Sequence, residues 1–241
     1  MNTTEQLVAI VTGASSGIGL GITQALLERG WRVVGISRTI STAKELKPSS
    51  DLFLVDGDVS KKETAIRVVD AALKHFGRID LLVNNAGIYL PKAFTDYTEE
   101  DYNLVMNTNV AGFFYMTQQV IPQMKNQNSG HVVNISGASV DQPSAAANEL
   151  LAILSKSPLP AASKALALEY AANNIRFNTV SPAVANTPMH AKANHAELAK
   201  LHPLARIGEV SDVVDAVLYL QSATLVAGEN IRVDGGVHAG R

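Results

Sequence analysis

The stretch from Leu7 to Gly19, LVAIVTGASSGIG, constrains the fold of this chain more than any other. Its apolar run has the composition of a buried strand, and after Thr12 it breaks into a turn that contains Gly13, Gly17 and Gly19. Glycines allow a positive φ and let a phosphate approach the main chain, while the N–H groups at the start of a following helix stabilise an anion. The stretch therefore predicts a strand, a phosphate-binding turn and a helix. The spacing fits the common Gly-x-Gly-x-x-Gly pattern only loosely, and a plain tight turn is the alternative.

Strand-like and helical stretches alternate along all 241 residues, with no linker and no repeat. Strands separated by helices pair in parallel, and ligands then collect at the carboxyl ends of the strands. We therefore expect a single α/β domain over residues 1–241, with a doubly wound parallel sheet and helices on both faces. After the first strand, the predicted strands are Arg32–Ser37, Leu52–Val55, Ile79–Val83, Val132–Ile135, Ile175–Val180 and Ile231–Val233. The predicted helices are Ile18–Arg29, Ser60–Phe76 with Ser60 as its capping residue, Thr98–Met124 as one long or broken helix, Pro160–Asn173 and Val210–Gln221.

Charge and composition exclude several classes of partner. The net charge is −2, and the basic and acidic side chains are dispersed, which gives no basis for binding nucleic acid or an anionic membrane. The chain has no cysteine, which removes disulfides and thiolate chemistry and suits the cytoplasm. The six histidines lack metal-ligand spacing, so no metal is expected. With no long apolar run, we expect a soluble cytoplasmic protein whose partner is a small-molecule substrate.

Six motifs follow one another between Thr12 and Gly236. They are Thr12–Gly19 (TGASSGIG), Asp58-Val59, Asn85-Ala86-Gly87, Asn109 within NTNVAGFF, Ser181-Pro182 with Thr187, and Val233–Gly236 (VDGG). In this order the chain resembles the short-chain dehydrogenase/reductase family over about residues 6–236. The resemblance implies a Rossmann-type sheet of about seven strands, a nicotinamide dinucleotide, and hydride transfer between a carbonyl and an alcohol. It also implies a homodimer or homotetramer.

The resemblance also implies which residues bind the cofactor. Asp58 would hydrogen-bond the adenine, although a carboxylate at this point can instead start a helix, and Asn85 could simply hold the neighbouring strand. This chain has Ala183 where the family usually has glycine. The implied residues are Gly13, Ser15, Ser16, Gly17, Ile18 and Gly19 at the pyrophosphate, Asp58 and Val59 at the adenine, Asn85, Ala86 and Gly87 under the ribose, Lys164 on the nicotinamide ribose, and Pro182, Val184 and Thr187 at the carboxamide.

Ser37 and Arg38, at the end of the second strand, bear on the choice between NADP(H) and NAD(H). A carboxylate there would bond the ribose hydroxyls of NAD and repel a 2′-phosphate. Arg38 instead offers a planar, permanently charged guanidinium that suits a phosphate. The sequence thus favours NADP(H), with NAD(H) as the alternative and a solvated loop arginine as the non-binding interpretation of Arg38.

The acid that this family uses is missing. The resemblance implies a tyrosine four residues before a lysine, with a serine earlier in the chain. Lys164 matches the lysine, but Pro160 stands at the tyrosine position, and no Tyr-x-x-x-Lys occurs anywhere. Gly137 stands at the best match for the serine, with Ser136 and Ser139 on either side. The expected catalytic set is therefore Asn109, Lys164 and Ser139.

Two hypotheses follow from the missing tyrosine. In the first, the protein is an oxidoreductase with a rearranged acid site, acting on a small or medium apolar carbonyl or alcohol. Lys156, Ser139 or a water held by Asn109 and Lys164 would then supply the proton, although Lys156 is more simply interpreted as a surface lysine. In the second, the protein binds the dinucleotide but is catalytically silent. Two segments are expected to select the substrate: about residues 140–160, in which 145–156 form extra helix at the pocket mouth, and about residues 187–204.

Overall fold

A parallel sheet of seven strands forms the centre of the computed structural model, which describes residues 6–143, 147–191 and 193–239. The strand order is β3-β2-β1-β4-β5-β6-β7, and every neighbouring pair is parallel. The strands are β1 Val8–Thr12, β2 Arg32–Ser37, β3 Leu52–Asp56, β4 Leu81–Asn84, β5 Gly130–Ile135, β6 Ile175–Pro182 and β7 Asn230–Val233. This confirms the predicted doubly wound Rossmann-type sheet.

Eight α-helices connect the strands within the described residues. They are α1 Gly17–Glu28, α2 Lys62–Phe76, α3 Glu99–Met106, α4 Gly112–Gln127, α5 Leu150–Lys156, α6 Pro158–Glu169, α7 His195–Ala199 and α8 Val210–Ser222. A π-helical segment, Asn107–Ala111, joins α3 to α4. The long helix predicted from Thr98 is therefore continuous but locally widened. Among the described residues, no helix has the length and apolar character needed to cross a membrane.

Apolar side chains on both faces of the sheet hold the helices in place. One core layer places Ile22 and Leu26 of α1 and Val213 and Val217 of α8 against the sheet. The other places α2, α4 and the far end of α6 against the opposite face. Strands β1, β4 and β5 are buried on both sides, and β1 and β4 are apolar up to the last residue of each strand, as parallel strands usually are.

The N-terminus of α2 differs from its prediction. The helix begins at Lys62, after Lys61, and Ser60 does not cap it with its side chain. Asp58 Oδ1 instead accepts a hydrogen bond from Ser60 N at 2.9 Å, which turns the chain before the helix starts. The prediction of a Ser60 capping box was therefore wrong.

The strand order reverses between β1 and β4. The connection from β1 runs through α1 to one side of the sheet, whereas β4 and the following strands extend to the other side. A crevice opens outside the carboxyl ends of the strands at such a reversal, and ligands bind there. Thr12 ends β1 and Asn84 ends β4, so the glycine turn and the Asn85-Ala86-Gly87 segment face each other across this point.

Candidate functional site

A cleft of about 1210 Å³ opens at the carboxyl ends of the strands. Its walls bring together segments that are distant in sequence, from the glycine turn at residue 13 to Val237. Fifteen of the seventeen residues expected to bind a cofactor line it: Gly13, Ser15, Ser16, Gly17, Ile18, Ser37, Arg38, Asp58, Val59, Asn85, Ala86, Gly87, Pro182, Val184 and Thr187. Gly19 and Lys164 do not line this cleft.

The glycine turn needs glycines for close packing as well as for backbone geometry. Gly13 has φ +68° and Gly17 has φ +53°, both in the left-handed region that glycine adopts freely. A Cβ at Gly19 would stand 2.2 Å from Gly13 O, and a Cβ at Gly13 would stand 2.7 Å from Asn85 Nδ2. Gly19 thus lies behind the turn and shapes it, while the first N–H groups of α1 are left for a ligand.

Thr12 and Asn85 tie the ends of β1 and β4 together. Thr12 Oγ1 accepts hydrogen bonds from the backbone N–H groups of Asn85 and Ala86, each at 2.9 Å. Asn85 Nδ2 donates to Thr12 O at 2.8 Å. Asn85 therefore does link the two neighbouring strands, and it also forms part of the cleft wall.

Ser37 and Arg38 leave unpaired polar groups at the end of β2. Ser37 Oγ is buried and has no hydrogen-bond partner among the described residues. Arg38 is exposed beside it, and within the described part of the chain its guanidinium pairs with no carboxylate. Asp56, the nearest strand-end carboxylate in sequence, accepts hydrogen bonds from Ser41 N and Ser41 Oγ, which hold its pKa below the usual range. The pair Ser37–Arg38 therefore suits an anionic ligand group.

Asn109 is carried into the site by the π-helical segment. Its side chain is buried and engaged on both ends: Oδ1 accepts from Ile88 N at 2.9 Å, while Nδ2 donates to Ile88 O at 3.0 Å and to Ser155 Oγ at 2.9 Å. Such single-turn π segments often occur at functional sites. Asn109 therefore joins the segment after β4 to α5, and brings Ser155 and the adjoining Lys156 to the strand ends.

Lys156 lies in the cleft. Its ammonium group donates hydrogen bonds to Ser136 O at 2.9 Å and Ile135 O at 3.3 Å. Lys156 also lines a small internal cavity of about 10 Å³ shared with Asn84 and Asn109, which has room for about one water molecule. Burial lowers the pKa of Lys156 from 10.5 to about 8. The interpretation of Lys156 as a solvated surface lysine was wrong.

Lys164 is not part of this site, which corrects the expectation that it binds the cofactor or takes part in catalysis. It lies on the exposed side of α6, two helical turns beyond Lys156, and its Cα is 3.8 Å from the position of a Cβ on Gly228. Gly228 N bonds to Phe177 O, in the first half of β6, so Lys164 is far from the carboxyl end of that strand. The sequence favoured Lys164 because the local run Ala161-Ala162-Ser163-Lys164 resembles the family's pattern around its lysine.

Pro160 follows Lys156 by four residues along one run of helix. Helical geometry continues from α5 through Ser157 into α6, with φ −56° and ψ −34° at Ser157. Since a proline has no N–H, Pro160 cannot bond to the carbonyl four residues earlier, which belongs to Lys156. Ser136 Oγ donates to that carbonyl at 3.0 Å. Ser136 thus bonds the Lys156 carbonyl, which Pro160 cannot, to the end of β5.

Ser139 offers a free hydroxyl beside Gly137. A Cβ on Gly137 would lie 3.8 Å from Ser139 Oγ and 3.8 Å from Lys156 Cδ, and all three residues line the cleft. Ser136 is committed to the Lys156 carbonyl, whereas Ser139 Oγ has no hydrogen-bond partner among the described residues. The expected Ser139 is therefore near the side chain of Lys156.

Two cleft residues were not expected from the sequence. Tyr89 follows Asn85-Ala86-Gly87, and its hydroxyl donates to Ala147 O at 3.4 Å. Burial, with the nearby Glu149 carboxylate, raises the pKa of the Tyr89 phenol. The His190 ring lies 6.2 Å from the Tyr89 ring, and burial together with His195 lowers its pKa. The sequence held no signal for this pair beyond their presence in segments near the pocket.

The two segments expected to select the substrate do reach the cleft. From the first segment, Gln142, Pro143, Ala147, Asn148, Glu149, Ala152 and Lys156 line it. Of the extra helix predicted over residues 145–156, residues 150–156 form α5 and residues 147–149 are not helical, while residues 144–146 lie outside the described residues. From the second segment, Thr187, Pro188, Met189, His190, Glu197, Leu198, Leu201, His202 and Pro203 line it. Among the described residues no group of acidic and histidine side chains is placed to hold a metal ion.

Known proteins resemble this chain both in sequence and in structure. The family model described as enoyl-(acyl carrier protein) reductase matches residues 13–238. The chain is 32% identical to 3-oxoacyl-[acyl-carrier-protein] reductase FabG of Thermotoga maritima, over 97% of this chain and 98% of that protein. It is 33% identical to the acetoacetyl-CoA reductase of an Acinetobacter species, with the same shares covered. The structure of 3-ketoacyl-(acyl-carrier-protein) reductase from Brucella melitensis complexed with NADH superimposes with a TM-score of 0.91, at 29% identity, over 97% of this chain and 99% of that one.

Proposed function

Because the chain belongs to the short-chain dehydrogenase/reductase family, we propose that it is an oxidoreductase that prefers NADP(H) and interconverts a carbonyl and an alcohol with a rearranged acid site. Its relatives carry the names of reductases, and the structure from Brucella melitensis holds NADH. A nicotinamide dinucleotide is therefore the cofactor class that the comparisons support.

The residues of the cleft fit such a cofactor. The glycine turn and the start of α1 would hold the pyrophosphate, and Asp58 and Val59 would border the adenine. The unpaired Ser37 hydroxyl and the Arg38 guanidinium would receive a 2′-phosphate, which supports the preference for NADP(H). When bound, the dihydronicotinamide supplies a hydride.

The observation that carries this proposal is the position of Lys156. Its ammonium lies in the same cleft as the glycine turn and beside Asn109 and Ser139, although the chain has no Tyr-x-x-x-Lys. Burial lowers the pKa of this ammonium to about 8, so it can exchange a proton near neutral pH, which supports a role in the chemistry. The chain thus keeps a proton-bearing group where a carbonyl oxygen would be reduced.

The proposed substrate is a small or medium carbonyl compound with an apolar body, or the corresponding alcohol. The relatives named above act on acetoacetyl-CoA or on 3-oxoacyl groups, and the far part of this cleft is lined by apolar side chains such as Met189, Leu198 and Leu201. We propose that residues 140–160 and 187–204 of a single domain select among such substrates.

A second candidate function is a catalytically silent protein that binds the dinucleotide. Ala152 and Gly137 favour it, because both line the cleft close to Lys156 and neither side chain can exchange a proton. Under this alternative the cofactor site is intact and turnover is absent.

The two functions are separated by titrating NADPH and NADH by fluorescence and then measuring NADPH oxidation with a panel of carbonyls. The panel contains acetoacetyl-CoA, a short methyl ketone, a ketose, a cyclic diketone and a steroid ketone. We expect NADPH to bind more tightly than NADH and at least one carbonyl to be reduced. Tight NADPH binding without any turnover would favour the silent protein, and no binding of either cofactor would exclude both functions.

A further inference from the structure

We propose that Lys156 itself gives the proton to the carbonyl oxygen during reduction, in the space that Ala152 leaves open, with Ser139 holding that oxygen; this inference rests on the function proposed above. Ala152 precedes Lys156 by one helical turn and lies on the same face of α5, and both line the cleft. Because the side chain of Ala152 is only a methyl group, no acidic group at this position stands between Lys156 and a substrate.

The hydrogen bonds of Lys156 leave one proton for a ligand. An ammonium group has three donors, and two of them are used by the carbonyls of Ser136 and Ile135. No carboxylate forms an ion pair with Lys156 within the described residues, so its proton is not held by a charged partner. The carbonyls fix the nitrogen, while the third N–H is free to reach a ligand.

The remaining polar groups nearby are poorer proton donors. The Asn109 amide is engaged with Ile88 and Ser155. The Tyr89 phenol has a raised pKa and is directed to Ala147 O, in a different wall of the cleft. Ser139 has a free hydroxyl next to Gly137, which can hold an oxygen but is a weak acid. Lys156 is therefore the acid best placed and best matched to neutral pH.

Other titratable groups line the cleft, but they do not set the titration of Lys156. Arg38 and Asp58 lie at the glycine-turn end, and Tyr89, Glu149, His190, Glu197 and His202 lie in the walls of the substrate end. The lowered pKa of Lys156 comes from burial alone. One titration near pH 8 is therefore expected to govern the acid form.

The reaction step balances without any further reagent. In reduction, the carbonyl carbon receives a hydride from the dihydronicotinamide, which is oxidised, and the π-electron pair of the C=O bond moves to oxygen. That oxygen takes a proton from Lys156 Nζ and becomes the hydroxyl of the alcohol. The neutral amine then regains a proton from solvent, which reaches it through the cleft.

The test combines a direct titration of Lys156 with kinetics on the carbonyl that the wild-type protein reduces best. Protein labelled with ¹³C at lysine Cε, bound to NADPH, is titrated by NMR, and the Lys156 signal is identified by its loss in Lys156→Ala. We expect its pKa to coincide with a fall in kcat/KM for reduction as the pH rises through about 8, since only the ammonium is an acid.

Lys156→Ala is expected to lower kcat/KM by about 10²- to 10⁴-fold, the usual contribution of a general acid. Added ethylammonium should restore part of the rate, because the truncated side chain leaves room for it, and rescue by an external acid distinguishes proton donation from positioning. The surface control Lys125→Arg should stay within about threefold of wild type, since Lys125 is exposed on α4. The NADPH affinity of Lys156→Ala, measured by fluorescence, shows whether the variant is folded and binds the cofactor.

Different outcomes refute different claims. If the wild-type protein binds NADPH but reduces nothing on the panel, the proposed function fails, and the role of Lys156 fails with it. If the wild-type protein is active but Lys156→Ala keeps its rate, gains nothing from ethylammonium, or is matched in its loss by Lys125→Arg, only the role of Lys156 is overturned. A Lys156 pKa that differs from the kinetic pKa also overturns it.

Discussion

Arg38 should determine how well the protein distinguishes NADPH from NADH. The change Arg38→Gln removes the charge but keeps a side chain of similar reach. Because the Arg38 guanidinium has no carboxylate partner among the described residues, its removal should leave no other charge unpaired. We therefore expect the variant to lose affinity for NADPH and to keep its affinity for NADH.

The size of the effect follows from the exposure of Arg38. Two unit charges about 4 Å apart interact with about 1 kcal/mol in water and about 4 kcal/mol at a protein surface of effective dielectric constant about 20. Arg38 and Thr39 are both exposed, which favours the lower part of this range. A loss of about 1 to 2 kcal/mol raises the Kd for NADPH by about 5- to 30-fold.

The assay is a fluorescence titration of NADPH and NADH at low and high salt. The NADPH affinity of the wild-type protein should fall with salt, and this dependence should be smaller in Arg38→Gln because one exposed phosphate contact is gone. Arg29→Gln is the matched control, since Arg29 is also exposed but lies between α1 and the start of β2, at the amino ends of the strands and away from the cleft. Equal weakening of NADPH and NADH by Arg38→Gln, or no weakening, would refute the reasoning.

Three further changes test other parts of the structure. In the double variant Gly137→Ser/Ala152→Tyr, a phenol precedes Lys156 by four residues, and a serine fits because a Cβ at Gly137 meets nothing closer than 3.8 Å. We expect kcat/KM for carbonyl reduction to rise about tenfold or more. An unchanged rate in steady-state kinetics would count against this expectation. Lys156→Met should raise the free energy of unfolding at neutral pH by about 1 to 3 kcal/mol, because burial lowers the pKa of Lys156 to about 8 and the charged form is therefore destabilising in the folded state. In urea unfolding this gain should shrink as the pH rises from about 8 towards 10.5, and a gain that does not depend on pH would contradict it. Burial, with the Arg176 charge, lowers the pKa of His131 to about 3, so below pH 6.5 the unfolded chain binds a proton that the folded protein does not bind. The free energy of unfolding should therefore fall by about 1.4 kcal/mol per pH unit between pH 6.5 and about 3, and His131→Gln should remove this loss in urea unfolding measured against pH. An unchanged slope would show that His131 does not cause it.

The sheet could be predicted from the sequence because its signals are local. Buried parallel strands are short apolar runs, and each is followed by a turn or a helix. The prediction for β2, Arg32–Ser37, matches the structure, and the other observed strands differ by only a few residues at their ends. The position of the cleft could be predicted by the same reasoning, because parallel strands place their carboxyl ends at the same end of the sheet.

The position of the lysine could not be predicted in this way, because it depends on contacts between distant segments. Pro158 follows Lys156 by two residues, and helical geometry is disfavoured for the residue before a proline, here Ser157. In the structure Ser157 is helical nonetheless, and Ser157 N donates to Ile153 O at 2.8 Å. Tertiary contacts override the local preference, and Lys156 therefore lies at the cleft while Lys164 lies on the surface.

Pro160 and Ser136 explain why the lysine is held so firmly. The missing N–H of Pro160 would leave the Lys156 carbonyl unpaired in a buried place, which is costly unless another donor is found. Ser136 provides that donor from the end of β5, and the carbonyls of Ile135 and Ser136 receive the ammonium of the same residue. Both ends of Lys156 are thus bonded to one strand end, and the missing N–H of Pro160 leaves the Lys156 carbonyl available to Ser136.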